Sequence, residues 1–178
     1  TKMNSVAVFH IPLAATLLAV GLLGMAPARA DDALWARLAE GGKVVLMRHA
    51  SVSEDRNGGD SLLRDPSCKV ERNLSDQGRQ QAKAVGERFR ARKIPVEAVR
   101  HSPYCRTAET AQLAFGKGSE AAYLSLLEVL GAEEAAVQTA QLNQVIGAYA
   151  GKGNLVLVTH EPNIGAVSFE MVKPADFV

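Results

Sequence analysis

Short apolar runs alternate along this chain with longer segments whose apolar positions recur at helical spacing. Four runs rich in β-branched or leucine side chains predict buried strands, at residues 43–47, 96–100, 123–127 and 155–159, the third being the weakest. The helical spacing predicts helices at residues 31–42, 105–115 and 133–149, and one more that Ser75 caps and Pro95 stops. This alternation predicts an α/β domain around a mainly parallel sheet.

Residues 1–30 follow a different pattern from the rest of the chain. No Lys, Arg, Asp or Glu occurs from residue 3 to residue 28, and an apolar run leads to the small-x-small sequence Ala28-Arg29-Ala30. This layout predicts a signal peptide cleaved after Ala30, which leaves one domain over residues 31–178 and a periplasmic or secreted protein. The apolar run is short for a membrane span, so no stable membrane insertion is expected after cleavage; a retained membrane anchor is the alternative.

Composition and charge exclude little but change how the cysteines are interpreted. With 47% hydrophobic residues the chain can fill one core, and a formal net charge of +1 gives no sign of a nucleic-acid partner. In an oxidising compartment Cys68 and Cys105 form an even pair, which predicts a disulfide; two unpaired buried thiols are the alternative. A zinc site needs more ligands than these two residues offer.

Basic side chains follow three of the predicted strands. Arg48 and His49 end the first, His101 ends the second just before the helix that carries Arg106, and His160 ends the last. Because parallel strands share their carboxyl edge, these residues should meet in one crevice beside a helix N-terminus. Arginine guanidinium groups beside a helix N-terminus bind anions, and phosphate is the anion that this combination fits. The polar segment 51–73 is predicted to be a long functional loop.

Four ordered motifs in the chain resemble those of the histidine phosphatase superfamily, in the branch that also contains the cofactor-dependent phosphoglycerate mutases. They are VLMRHA at residues 45–50, NLSDQGRQQA at 73–82, SPYCRTAETA at 102–111 and VLVTH at 156–160, and the resemblance covers roughly residues 43–178. It implies a three-layer α/β/α sandwich of the phosphoglycerate mutase-like type. It also implies a metal-independent hydrolase of phosphate monoesters that needs no cofactor and works through a phosphohistidine.

The resemblance also assigns roles to individual residues. His49 matches the nucleophile, Arg48 and Arg106 match the two phosphate-binding arginines, and His160 matches the second histidine of the phosphate site. A neutral imidazole is a competent nucleophile, and neighbouring cations would both keep His49 neutral and stabilise charge on the phosphoryl oxygens. In this family the leaving alcohol usually receives its proton from an acid between Arg106 and His160, which points to Glu128.

Several features leave alternatives open. Glu109 and Glu161 are the other candidates for the general acid, and His101 could line the rim of the crevice or lie on the sheet surface. The family's usual glycine and acidic residue after the nucleophile are replaced here by Ala50 and Ser51-Val52, which makes mutase activity unexpected. Residues 173–178 resemble a last strand cut partway, and a C-terminal truncation is therefore expected.

The expected partner is a small phosphate ester, with no nucleic-acid partner. Some exported relatives act on phosphorylated sugars, which makes a phosphorylated sugar one candidate substrate. Two other functions are compatible with the same motifs. One is a non-catalytic module that binds phosphorylated ligands, because pocket arginines hold phosphate whether or not chemistry follows. The other is a protein phosphohistidine phosphatase, although the long loop and the predicted export both argue against it.

Overall fold

A parallel β-sheet lies at the centre of the protein. The computed structural model describes residues 26–55 and 58–178. The predicted signal peptide therefore falls mostly outside the described residues, and its last positions, 26–30, form the beginning of the first helix. The signal peptide and the domain boundary at residue 31 stay predictions.

Four strands form the sheet in the order β1-β4-β2-β3, and every pair is parallel. The strands are β1 (Val44–Arg48), β2 (Val96–His101), β3 (Ser119–Glu120) and β4 (Asn154–Thr159). Every residue of β4 is buried, as expected for the apolar run of a central strand covered on both faces. Because β1 and β4 are neighbours in register, Arg48 lies opposite Thr159, and the residues that follow the two strands emerge side by side.

In the described part of the chain, five α-helices cover the two faces of the sheet. They are α1 (Ala26–Ala39), α2 (Asp76–Ala91), α3 (Cys105–Phe115), α4 (Ala132–Ala148) and α5 (Glu161–Ser168). Side chains of α1, α2 and α3 pack in one core cluster, and those of α4 and α5 pack in a second cluster on the other face. The predicted α/β/α sandwich around a parallel sheet is therefore confirmed. None of the helices in the described part of the chain is long and apolar enough to span a membrane.

The expected helix start at Ser75 is found, whereas the expected strand at 123–127 is wrong. The Ser75 hydroxyl accepts a hydrogen bond of 3.0 Å from the Gly78 N–H and so caps α2.

In place of the expected strand at 123–127, residues 122–129 form two 3₁₀ turns, Ala122–Leu124 and Leu127–Val129, with local backbone hydrogen bonds. Tyr123, Leu124 and Leu126 are buried, so the apolar run reflects burial without strand pairing. The strand that pairs with the outer side of β2 comes earlier in the chain, at β3.

Candidate active site

The side chains predicted to act on phosphate converge on one cleft at the carboxyl edge of the sheet. His49 follows β1 and His160 follows β4, and their ring centroids lie 5.5 Å apart. Arg106 reaches them from the first turn of α3. Arg48, His49, Arg106, Glu128 and His160 all line this cleft, whose volume is about 220 Å³. The structure thus brings together the five residues that the sequence singled out for catalysis and phosphate binding.

The imidazole of His49 is held in one tautomer. Its Nδ1 lies 2.8 Å from the Ala50 carbonyl oxygen, which can only accept, so Nδ1 carries the proton and Nε2 keeps its lone pair. Burial lowers the pKa of His49 from 6.5 to about 4, and the charges of Arg106 and Arg48 act in the same direction. His49 is consequently neutral and nucleophilic at Nε2 over the physiological pH range.

Two guanidinium groups supply hydrogen-bond donors to the cleft. Arg48 donates from Nη1 to the Val172 carbonyl at 2.9 Å, and Arg106 donates from Nη2 to the Ser61 carbonyl at 3.0 Å. Arg48 Nε and Arg106 Nη1 are also buried, yet neither has an acceptor among the described residues. An unpaired buried donor is costly, so these two N–H groups define a site where an anion would be bound.

His160 is fixed by hydrogen bonds at both ring nitrogens. Its Nδ1 lies 3.3 Å from Arg106 Nη2, and its Nε2 lies 2.8 Å from the Ser102 hydroxyl. Because a guanidinium only donates, Nδ1 accepts and the proton sits on Nε2, where Ser102 accepts it. Burial, together with the charge of Arg106, lowers the pKa of His160 well below 6.5. The motif analysis assigned no role to Ser102, which this contact makes the orienting partner of His160.

The three candidate acids are separated by the fold. Glu128 lies exposed on the second 3₁₀ turn and Glu161 lies half-buried at the start of α5, and both line the cleft. Glu109 does not line it, because its carboxylate accepts from Arg79 Nε at 2.7 Å on the side of α3 that borders a separate cleft. The position of Glu109 therefore speaks against a role as general acid.

Asn163 anchors the turn that carries Glu128. Its Nδ2 donates to the Ser125 carbonyl at 2.7 Å, and its Oδ1 accepts from the Leu127 N–H at 3.3 Å. Asn163 is buried and lies in the first turn of α5, shortly after His160. The sequence analysis missed this residue, although an asparagine one turn from a catalytic candidate is a signal that could have been used.

The expected phosphate contact at the N-terminus of α3 is wrong for the first amide of the helix. Glu71 is 1% exposed, and its carboxylate accepts from the Cys105 N–H at 2.8 Å and from the Asp65 N–H at 2.8 Å. The protein's own carboxylate thus occupies a donor that a phosphate was expected to use. The anion site depends instead on the arginine side chains.

A disulfide ties the 51–73 loop to the helix that carries Arg106. Cys68 and Cys105 are bonded, as the sequence predicted, and Cys105 is the first residue of α3. The same loop supplies the Ser61 carbonyl that accepts from Arg106, and the Leu62 carbonyl accepts from the Tyr104 hydroxyl at 2.8 Å. The loop is therefore one wall of the cleft.

His101 lies outside this cleft. It is half-buried, it lines the separate cleft beside the disulfide, and its Nδ1 lies 2.8 Å from the Ser102 carbonyl oxygen. The sequence left open whether His101 lines the rim of the crevice or lies on the sheet surface, and the structure does not place it at the rim of this cleft. Within the described ranges, no group of three or more His, Cys, Asp or Glu side chains is placed to hold a metal ion.

Comparison with known families agrees with this arrangement. The family model of the histidine phosphatase superfamily (branch 1) matches residues 44–128, the stretch that contains β1, α2, β2, α3 and Glu128. Over residues 44–128 the chain thus matches the histidine phosphatase superfamily (branch 1), and the mixed α/β fold agrees with that match. No curated protein shows a significant match to the sequence.

Solved structures share the fold at low sequence identity. The product of an open reading frame of Mycobacterium tuberculosis has 18% identity and a TM-score of 0.58, with 75% of this chain and 88% of that chain covered. A mycobacterial glucosyl-3-phosphoglycerate phosphatase has 16% identity and a TM-score of 0.55, covering 75% and 87%. A putative alpha-ribazole-5'-P phosphatase of Escherichia coli has 13% identity and a TM-score of 0.58, covering 75% and 87%.

Proposed function

We propose that this protein hydrolyses phosphate monoesters by transferring the phosphoryl group to Nε2 of His49. The observation that carries the proposal is the pairing, in one cleft, of a neutral imidazole with two buried guanidinium N–H groups that have no acceptor among the described residues. A nucleophile beside preorganised donors is what phosphoryl transfer requires, because the chemistry depends on positioning and on charge stabilisation.

In the first step, the Nε2 lone pair of His49 attacks phosphorus and the bond from phosphorus to the ester oxygen breaks. Glu128 gives its proton to that oxygen, so the product leaves as a neutral alcohol. The imidazole keeps its Nδ1 proton, which stays hydrogen-bonded to the Ala50 carbonyl, and the residue becomes a phosphohistidine. Arg48 Nε and Arg106 Nη1 donate to the equatorial phosphoryl oxygens, where negative charge is spread in the transition state.

In the second step, water attacks the phosphohistidine and the bond from phosphorus to Nε2 breaks. The Glu128 carboxylate, left unprotonated by the first step, takes the water proton, and His49 leaves as a neutral imidazole ready for another turnover. Glu128 lies exposed at the mouth of the cleft, on the side from which alcohol and water exchange with solvent.

The relatives that share the fold support a small phosphate ester as substrate. Two of them are described as phosphatases, of glucosyl-3-phosphoglycerate and of alpha-ribazole-5'-P. Both are phosphorylated small molecules with a sugar part, which keeps a phosphorylated sugar among the candidates for this chain. The substrate is a small-molecule phosphate ester on this proposal, and no nucleic-acid or membrane partner enters it.

We also propose that the protein works outside the cytoplasm, in the periplasm or as a secreted protein. The leader pattern over residues 1–30 supports export, and the bonded Cys68–Cys105 pair suits an oxidising compartment. Fractionation of cells that express the full chain tests this. Recovery of the full-length chain in the cytoplasm, with both thiols free, would contradict it.

The activity is tested with an aryl phosphate in a metal-free buffer. We expect turnover by the wild-type protein and its loss in His49→Ala. His101→Ala is a matched control, because His101 also lies at the carboxyl end of a strand and its Nδ1 also bonds its neighbour's carbonyl, yet it lines the other cleft. Equal rates for wild type and His49→Ala would overturn the nucleophile assignment. Phosphate binding without any turnover would favour the non-catalytic module instead.

A further inference from the structure

The catalytic cleft is small and partly apolar. Its volume of about 220 Å³ lies below the roughly 300–1,000 Å³ of typical ligand sites. Val52, Leu126 and Pro162 line it beside the charged residues. A phosphoryl group bound by the arginines leaves room there for only a few more heavy atoms, so the alcohol part of the ester must be short or must extend into solvent.

The charges of the cleft are segregated. Among the described residues that line it, the only cations are Arg48 and Arg106, and both arginines also bond backbone carbonyls. The other charged side chains there are the acids Glu128 and Glu161, one exposed and one half-buried. Whichever acid protonates the leaving alcohol, the other remains a carboxylate beside the ester.

From this distribution we infer that the site selects phosphate monoesters of small alcohols that carry no second anionic group, and that it prefers amino alcohols whose ammonium group faces the glutamates. A carboxylate on the alcohol part would meet Glu161 and find no described cation beyond the two that hold the phosphate. An ammonium group in the same place would gain an ion pair. The inference rests on the proposed phosphatase activity and adds the charge of the leaving group as the basis of selection.

Three esters of similar size separate charge from shape: 2-aminoethyl phosphate, propyl phosphate and phosphoglycolate. We expect kcat/KM to fall in that order for the wild-type protein. An exposed ion pair changes kcat/KM by about two- to fivefold. Because Glu161 would attract 2-aminoethyl phosphate and repel phosphoglycolate, these two effects multiply, and the kcat/KM values of the two esters should differ by about tenfold through Glu161 alone. Added salt should reduce this difference.

Glu161→Gln removes the charge and keeps the shape. The intrinsic reactivity of each leaving group does not depend on the variant. The change in the ratio of kcat/KM for 2-aminoethyl phosphate to kcat/KM for phosphoglycolate therefore reports the effect of the Glu161 charge. We expect this ratio to fall by about tenfold in Glu161→Gln. Glu87→Gln is the matched control, since Glu87 is exposed on α2, away from the cleft, and should leave the wild-type ratio unchanged.

The outcomes distinguish this inference from the proposed function. Turnover of propyl phosphate with an unchanged ratio in Glu161→Gln overturns the inference and leaves the phosphatase standing. An equal loss on all three esters in Glu161→Gln would make Glu161 the general acid and likewise overturn its role in selection. If the wild-type protein hydrolyses the aryl phosphate but none of the three esters, the inference fails and the phosphatase stands; if it does not hydrolyse the aryl phosphate either, both are overturned.

Discussion

The buried imidazole of His49 makes the stability of the fold depend on pH. Its pKa is about 4 in the folded protein and 6.5 for an ordinary histidine. Between these values the unfolded chain binds the proton and the folded chain does not, so falling pH favours unfolding. The stability conferred by the neutral ring is therefore complete above pH 6.5 and is lost as pH falls toward 4.

The size of the effect follows from the two pKa values. The difference between the folded and unfolded pKa values of His49 corresponds to about 3 kcal/mol of unfolding free energy, since one pKa unit is worth about 1.4 kcal/mol. From pH 7 to pH 5 the proton linkage removes about 2 kcal/mol of this. Most surface carboxylates stay ionised at pH 5, so this narrower range separates the histidine from general acid denaturation.

Urea unfolding at pH 7 and pH 5 measures the loss. Trp35 is the only tryptophan of the chain and packs edge-on against Phe89 and Phe177 in the core, so its fluorescence reports unfolding. We expect wild-type protein to lose about 2 kcal/mol more than His49→Gln between the two pH values, with unchanged m-values. His160 and the carboxylates titrate in both proteins and largely cancel. Equal losses in the two proteins would refute the depressed pKa of His49.

Three further predictions concern Arg106, Ser102 and the Cys68–Cys105 disulfide. Arg106→Lys should lower kcat/KM on an aryl phosphate by about 10²–10³-fold, because a lysine cannot replace the buried fork; an unchanged value would remove Arg106 from the phosphate site. Ser102→Ala should cost about 1–3 kcal/mol of unfolding free energy, since His160 Nε2–H loses its acceptor, and Ser102→Thr should recover part of it. Reduction of the disulfide, which joins residues 37 positions apart, should lower the unfolding free energy by about 3–4 kcal/mol, and an unchanged urea midpoint would contradict this.

The sequence was a good guide wherever one local rule decides the structure. The four central residues of β4 are apolar and the strand is buried as predicted, and Ser75 caps α2 because its hydroxyl satisfies a free helix N–H. The convergence of His49 and His160 followed from parallel pairing alone, because neighbouring parallel strands deliver the residues after them to the same edge. These features need no knowledge of distant contacts.

What the sequence did not reveal depends on contacts between segments far apart in the chain. Glu71 lies in a polar stretch that predicts a solvated loop, yet it is buried because two backbone amides satisfy it, that of Asp65 and that of Cys105 at the α3 N-terminus. The 123–127 run has the burial of a strand without its pairing, since local hydrogen bonds form the 3₁₀ turns instead. Hydrophobicity reports burial, and it does not report which partner a backbone amide takes.

The most direct test of the account is to trap the covalent intermediate. Wild-type protein is mixed with phosphate ester, quenched in alkali during turnover, and digested for mass analysis. The account predicts one phosphoryl group on the imidazole of His49, stable in alkali, lost in acid, and absent from His49→Ala. A phosphoryl group on a different residue, an acid-stable adduct, or turnover with no trapped adduct at any quench time would contradict it.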